Sequence, residues 1–214
     1  MTHPTTTLAS VPIPTGNTYD KYGSTNPIEQ RIMRGFFDAL DGFLDRTAPT
    51  RILEVGIGEG VVTKRVIDRF AGVPVIGLDL PDEKLATQWQ SRDLSCAYGD
   101  AGSLPFPDGA FDLVLAIEVF EHLPDPPAAM AELSRVCSGS LIASVPFEPI
   151  WRIGNMVRGR YVRDLGNTPG HINHWTHRGF TGLVGTHFDV VDRAMPLPWT
   201  MVLARSRHGT ARTS

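Results

Sequence analysis

Apolar residues recur along the chain in two alternating rhythms. Ile28, Ile32, Met33, Phe36, Phe37, Leu40, Phe43 and Leu44 are spaced by three and four, and Pro27 stands in the first turn, so an amphipathic helix is expected there. The short apolar run Arg51–Val55 then reads as a strand that ends in the turn Glu54-Val55-Gly56-Ile57-Gly58-Glu59-Gly60. Helical spacing returns at Val61, Val62, Val66, Ile67 and Phe70, and Gly72 stops it. Three more strands follow: Val73–Leu78 closed by Asp79, Leu94–Tyr98 closed by Gly99-Asp100, and Phe111–Ile117. Helices are expected at Asp82–Gln90 and Pro126–Val136, and a fifth strand at Gly139–Val145. Each strand is apolar throughout, as strands buried on both faces are, and each loop is short. Five strand–helix alternations of this kind predict an open parallel sheet with helices on both faces.

The rhythm breaks after Pro146. Trp151–Trp175 is rich in Arg, Gly, His and aromatic residues and reads as an irregular insert. A helix pattern resumes at Arg178–Gly185, and the apolar runs Phe188–Val191 and Trp199–Ala204 suit an antiparallel hairpin on the sheet edge.

Composition narrows the class. With 214 residues, 42% hydrophobic and 20% charged, the chain suits one ordinary globular domain with a core of its own. Cys96 and Cys137 stand apart in apolar runs, which argues against a disulfide framework and for a reducing, cytoplasmic setting. No run approaches the ~20 apolar residues of a membrane helix. Met1–Gly16 is rich in Thr and Pro without a cationic start or an apolar core, so a loose tail is expected, not a signal peptide. The net charge of −3 is unevenly spread: residues 1–150 hold 11 Lys/Arg against 20 Asp/Glu, and residues 151–214 hold 9 Arg against 3 acids. The C-terminal third thus offers cations to an anionic partner. The overall acidity and the lack of a basic stripe argue against nucleic acid.

In an open parallel sheet, ligands bind beyond the carboxyl ends of the strands, where the strand order reverses. The strand ends here carry Glu54 with Gly56, Gly58 and Gly60, then Asp79, Asp100 and Glu118, with Glu121-His122 close behind. Glycines let backbone approach a ligand, and an acid about twenty residues on is placed to accept from a ribose diol. Two cofactors fit that much: a nicotinamide dinucleotide and S-adenosylmethionine. A dinucleotide turn wants a small residue where Val61 stands, and its pyrophosphate would be repelled by Glu54, Glu59, Asp79, Asp100 and Glu118. The same acids suit a ligand carrying a sulfonium and an ammonium.

Ile52-Leu53-Glu54-Val55-Gly56-Ile57-Gly58-Glu59-Gly60 resembles the first motif of class I S-adenosylmethionine-dependent methyltransferases. Asp79 is similar to that family's ribose-binding acid. Gly99-Asp100-Ala101, with Leu104-Pro105-Phe106 and Phe111-Asp112-Leu113-Val114, resembles its adenine-facing stretch. Glu118-Val119-Phe120-Glu121-His122-Leu123-Pro124-Asp125-Pro126 resembles its post-adenine segment. The likeness covers roughly residues 50–146 and is nearest to the small-molecule "type 11" branch, which includes quinone and natural-product methyltransferases.

The resemblance implies an α/β, Rossmann-like, seven-stranded and mostly parallel sheet with its last strand pair antiparallel. It implies methyl transfer to a small molecule, most often at a hydroxyl. The alternatives are a nicotinamide-dependent oxidoreductase and a non-catalytic relative that binds the cofactor alone. By the resemblance, backbone at Gly56, Gly58 and Gly60 holds the methionine end, with Glu54 beneath. Asp79 and Leu80 meet the ribose side, Asp100 and Ala101 the adenine, and Glu118 and Val119 the sulfonium. Tyr19 and Tyr22 are candidates for a lid.

His171, His174 and His177 recur at three-residue steps, but no acid or Cys stands near them in sequence and Pro169-Gly170 favours a loop, so no metal is expected. The resemblance puts a histidine ahead of an aromatic-Ser/Thr segment over the active site. His171 fits best, with Thr176 as the cap of the next helix and His174 as the second choice. His122 is a further candidate, either as a base or as a group that orients its loop. Asp112 reads as a structural residue at a strand start. Trp151, Arg152, Arg160 and Tyr161 are candidates for substrate contact. The expected organisation is a tail over 1–16, one domain over 17–206 with a helical lid at 17–48 and a substrate cap at 147–177, and a second tail over 207–214. The expected partner is a small-molecule acceptor, with oligomerisation left open.

Overall fold

The computed structural model describes residues 26–148, 150, 156, 168 and 170–207. The lid candidates Tyr19 and Tyr22 and the cap candidates Trp151, Arg152, Arg160 and Tyr161 lie outside the described residues.

Among the described helices, all but α2 begin where the sequence supplies a side-chain cap. Helix α1 spans Pro27–Leu44, with Asn26 Oδ1 accepting from the Ile28 N–H at 2.9 Å. Strand β1, Ile52–Val55, leads through the Gly turn into α2, Val61–Arg69. Strand β2 is Val75–Asp79, and α3, Glu83–Ser91, is capped by Asp82. Strands β3, Cys96–Tyr98, and β4, Phe111–Ile117, come next. Asp125 caps α4, Pro126–Val136, which runs straight into β5, Cys137–Pro146. Thr176 caps α5, His177–Gly185, through its hydroxyl and the Gly179 N–H. Strands β6, Phe188–Ala194, and β7, Trp199–Ser206, close the sheet.

The seven strands form one sheet in the order β3-β2-β1-β4-β5-β7-β6. β1, β2, β3, β4 and β5 pair in parallel, while β7 is antiparallel to both β5 and β6. The order reverses between β1 and β4, with β2 on one side and β5 on the other. The period of two along β4 divides the core between the two faces. Leu113, Leu115 and Ile117 pack with Phe36, Leu40, Val62 and Val66 of α1 and α2. Val114 and Ala116 pack with Met130 and Leu133 of α4 and Phe180 of α5.

The last strand pair is the antiparallel hairpin expected at the sheet edge, with its second strand on the inner side. The edge strand is β6, and β7 returns into the gap between it and β5. The physical reason lies in the side chains. β7 is buried at seven of its eight positions, as an interior strand requires, whereas most of β6 is partly or fully exposed. β6 also runs past the apolar stretch to Ala194, with a register shift between Val190 and Asp192. Among the described residues no helix is long and apolar enough to cross a membrane.

The loop after β3 is held by one side chain from α4. Arg135 donates to the carbonyls of Leu104 and Phe106, at 3.0 and 2.7 Å, and pairs with Asp108 and Glu132. Glu132 in turn accepts from the Leu104 N–H at 2.8 Å. Cys96 and Cys137 are free thiols, and burial raises both above the usual thiol range, to about 11 and about 12.

Two glycines predict opposite effects of the same substitution. A Cβ on Gly139 of β5 would fall 2.1 Å from the carbonyl oxygen of Asp112 in β4, and that backbone cannot move without breaking the pairing. Gly35, exposed on α1, has open space around the same position. Gly139→Ala is expected to lower stability by about 1–3 kcal/mol. Gly35→Ala should raise it by about 0.5–1 kcal/mol. Urea denaturation midpoints check both signs.

Candidate active site

The turn between β1 and α2 is drawn close to the loop after β4. Gly56, Gly58 and Gly60 all have positive φ, at 71°, 49° and 76°. Two of them are needed for packing as well as for conformation. A Cβ on Gly56 would meet Val119 Cγ2 at 2.4 Å, and one on Gly60 would meet Leu94 Cδ1 at 2.3 Å. Gly58 differs: among the described residues no atom beyond its chain neighbours lies within 4 Å of where its Cβ would stand. The Gly58 N–H donates to Asp79 Oδ2 at 2.7 Å, and the Leu80 N–H donates to Asp79 Oδ1 at 2.8 Å. Asp79 therefore sits at the end of β2 with one lone pair of each oxygen used and another left to accept. From α3, Trp89 Nε1 donates to the Gly58 carbonyl at 2.7 Å and Arg92 donates to that of Glu59.

Among the described residues no cation pairs with Glu54 or Asp79. Glu54 is 2% exposed, and its Oε2 is buried without a hydrogen-bond partner, as is the neighbouring Thr63 hydroxyl. Burial pushes the Glu54 carboxyl up to about 8, the charge of Asp79 adding to the effect and the nearby Thr63 opposing it. Asp79 is also raised, chiefly by burial, against the pull of its two backbone donors. Asp100 is exposed just past β3, with Oδ1 accepting from the Gly102 N–H at 2.8 Å, and Ala101 beside it is buried. Glu118 leaves β4 with φ of 56°, and its carboxylate accepts from the indole of Trp199 in β7. Trp199 itself packs edge-on against Phe36 of α1.

A second group of side chains converges just beyond β4. The His171 Nδ1 lies 2.7 Å from Glu148 Oε1, with both residues buried. The His122 Nδ1 lies 2.9 Å from the Gly170 carbonyl, and the two imidazoles meet edge to face with centroids 4.9 Å apart. Asn173 fastens the segments together. Its amide donates to the carbonyls of Phe120 and Leu123, while the Ile172 and Asn173 N–H groups donate to that of Glu121.

The structure thus brings Glu54, Gly56, Gly58, Gly60, Asp79, Leu80, Glu118 and Val119 to the carboxyl ends of β1, β2 and β4, at the order reversal, and places His122 and His171 side by side in the segments beyond β4 and β5. It separates the three histidines of the 170s. His174 is exposed, and His177 stacks on Phe147 with Nδ1 2.6 Å from Thr200 Oγ1. The expectation that no acid stands near His171 is corrected, because chain folding brings Glu148 and Glu121 to it. Nothing in the local pattern marks Glu148, which lies 23 positions from its partner. Trp89, Arg92 and Trp199 also escape the sequence reading, since a donor to a loop carbonyl leaves no periodic signal. Asp112 is structural, as expected, taking the N–H groups of Thr50 and Arg51 at 2.9 and 3.0 Å.

Comparison with known proteins bears on this geometry. Residues 53–141 match the family described as "Methyltransferase domain". The chain is 32% identical over 174 residues to a malonyl-[acyl-carrier protein] O-methyltransferase of Geobacter sulfurreducens, covering 76% of this chain and 60% of that protein. It is 35% identical over 117 residues to a demethylmenaquinone methyltransferase of Thermus thermophilus, covering 52% of this chain and 53% of that protein. The chain therefore spans little more than half the length of these relatives. Among solved structures, the N-methyltransferase NodS of Bradyrhizobium japonicum, in complex with S-adenosyl-L-homocysteine, shares the fold. Its TM-score is 0.60 at 17% identity, over 86% of this chain and 90% of that one. An S-adenosylmethionine-dependent methyltransferase of Aquifex aeolicus gives a TM-score of 0.64 at 15% identity, over 85% and 94%. The relatives named here are methyltransferases, and none is a nicotinamide oxidoreductase.

The buried Glu54 carboxyl predicts a pH dependence with a definite sign. The unfolded chain releases this proton near 4.5, and the folded chain keeps it until about 8. The associated stability is present in full below 4.5, falls as pH rises through that window and is gone above about 8. Glu54→Gln keeps a neutral side chain, so the drop in urea midpoint between pH 5 and pH 9 should shrink, by the equivalent of a few kcal/mol. An undiminished drop would contradict the assignment.

Proposed function

We propose that the chain, whose residues 53–141 match the family described as "Methyltransferase domain", is a class I methyltransferase of the type 11 branch that transfers the methyl group of S-adenosylmethionine to a small-molecule hydroxyl. The observation that carries the reading is a pair of carboxyl groups, the buried Glu54 and the partly buried Asp79, beside a glycine turn at the reversal of strand order. Glu54 and Asp79 both hold their protons more tightly than usual because they are buried among acids. A ligand with a sulfonium and an ammonium would favour their charged forms, whereas a pyrophosphate would oppose them.

The residues present fit that cofactor. Among the described residues no atom beyond its chain neighbours stands where a Gly58 side chain would, which suits approach of the methionine end to the backbone of the turn. Asp79 keeps acceptor capacity for ribose hydroxyls while two backbone donors fix its direction. Leu80 belongs to the same corner. Asp100 is exposed with the buried Ala101 beside it, which suits the adenine edge. Glu118 and Val119 are assigned to the sulfonium side, with Val119 packed against Gly56. When bound, the cofactor supplies an electrophilic methyl, and alignment of donor and acceptor is the main contribution asked of the protein.

His171 and His122 are assigned to the acceptor side of the site. A carbonyl can only accept, so His122 Nδ1 carries a proton and donates it to Gly170. An ionised Glu148 imposes the same tautomer on His171. In their neutral forms both rings then offer Nε2 as a base or ligand atom. His174 is exposed and is the weaker candidate. The arginines and aromatics of 151–163 are assigned to an acceptor with an anionic or aromatic part, such as a phenol.

Titration calorimetry with S-adenosylmethionine tests the reading. The purified chain should bind it, and Asp79→Ala should weaken binding by about 1–3 kcal/mol, the range for charged hydrogen bonds. No binding to the unaltered chain would overturn the assignment. His171→Ala should leave cofactor affinity unchanged and lower turnover, read as S-adenosylhomocysteine release across phenolic and carboxylic acceptors. Binding without turnover on any acceptor would point to a non-catalytic relative.

A further inference from the structure

We propose that Glu121, His122 and His171 bind one divalent transition-metal ion, with Glu148 and the Gly170 carbonyl orienting its two imidazole ligands. One ligand atom of each of the three residues lies within 4.8 Å of those of the other two. Tetrahedral bonds of ~2.1 Å put ligand atoms about 3.4 Å apart, so an ion would have to draw the three together by roughly 1 Å. Glu121 and His122 are adjacent in the loop after β4, and His171 faces His122 across an edge-to-face ring contact.

The surroundings of the cluster are those a metal centre needs. Histidine ligands usually donate their second ring N–H to a carboxylate or a backbone carbonyl, which fixes the tautomer and leaves the other nitrogen for the ion. Both histidines do this here, His171 to Glu148 at 2.7 Å and His122 to Gly170 at 2.9 Å. Each holds its Nδ1 in a hydrogen bond, which puts the lone pair of the neutral ring on Nε2. Charge points the same way. Glu121 and Glu148 are 1% and 2% exposed, and Glu148 Oε2 is buried without a hydrogen-bond partner. Two buried carboxyls beside two imidazoles form an anionic site once the acids ionise, and a divalent ion would neutralise it. The loop that holds the cluster is itself fixed by Asn173 and by the Ile172 and Asn173 N–H groups.

Two imidazoles and one carboxylate suit zinc, iron(II), cobalt(II) or nickel(II) rather than the oxygen-seeking calcium or magnesium. Three protein ligands leave at least one position open, as in catalytic sites and unlike closed structural ones. Resting on the function proposed above, the open position would take the acceptor's oxygen, lowering its pKa and releasing its proton to solvent. The acceptor class then narrows to molecules with an ionisable, metal-binding hydroxyl, such as phenols and enols. The cluster is close to the donor site in the chain: Val119, which packs on Gly56, is three residues before His122.

The test uses the full chain stripped with a chelator and titrated with cobalt(II), read by visible absorption, and with zinc(II) by calorimetry. One equivalent of each should bind. His122→Ala and His171→Ala should abolish saturable binding, and Glu148→Gln, which keeps the shape of the orienting side chain, should weaken it about 10–100-fold. Circular dichroism checks that each variant folds. Asp79→Ala should bind metal as the unaltered chain does while losing affinity for S-adenosylmethionine. Absence of saturable metal binding, or binding undiminished in both His171→Ala and Glu148→Gln, overturns the site even if S-adenosylmethionine binds. Metal binding in a chain that ignores S-adenosylmethionine upholds the site and overturns the function on which its link to an acceptor rests.

Discussion

The contact between Gly56 and Val119 is the constraint on which the site depends. β1 and β4 are neighbours in the sheet, and their following segments leave in different directions, one into α2 and one towards α4. The cleft at such a reversal is useful only if the two loops come together at its floor. Here they do so because no side chain stands between them: a methyl on Gly56 would overlap Val119. The close approach holds the glycine turn against the residues that follow β4. Glu118, Glu121 and His122 are carried on the same short segment, so the two parts of the site share one anchor. The Trp199 indole adds a second hold by donating to Glu118 from β7, and Phe36 backs that indole from α1.

The fold accepts an electrostatic cost at this edge. A carboxyl as buried as Glu54, with an oxygen left unpartnered, is easier to keep neutral than charged, and its raised pKa expresses that preference. Elsewhere the protein treats acids differently. Asp41 is held below the usual carboxylate range by Arg65, and Glu132 by Arg135. Arginine is thus used to settle acids that support helices and loops, while among the described residues none pairs with Glu54 or Asp79. Poor compensation concentrated at the strand ends is a frequent mark of a site meant for a charged ligand.

The histidine cluster depends on the segment after β5. Glu148 is two residues past the end of that strand, and His171 and Asn173 come back to it from a stretch more than twenty residues on. Asn173 takes no part in the cluster, yet its bonds to Phe120 and Leu123 determine where His171 stands. The same backbone then enters α5 through the Thr176 cap, which ties the cluster's position to the packing of Phe180 in the core.

The sequence by itself determined the layout of the sheet and which glycines and acids stand at its strand ends. Largely apolar runs such as Phe111–Ile117, interrupted only by Asp112, suit strands covered on both faces, and capping residues such as Asp82, Asp125 and Thr176 mark helix starts through purely local hydrogen bonds. Gly56, Gly58 and Asp79 were legible for the same reason, since a turn and the strand ends beside it are encoded within some twenty-five residues. Tertiary structure decided the rest. It placed β7 inside β6, because burial on both faces outweighs chain order. It parted His174 and His177 from His171, because the segment is extended and not helical there. It gave His171 its partners Glu148, Glu121 and His122, because hydrogen bonds and charge act through space, and a pair brought together by folding leaves no periodicity in the chain to read.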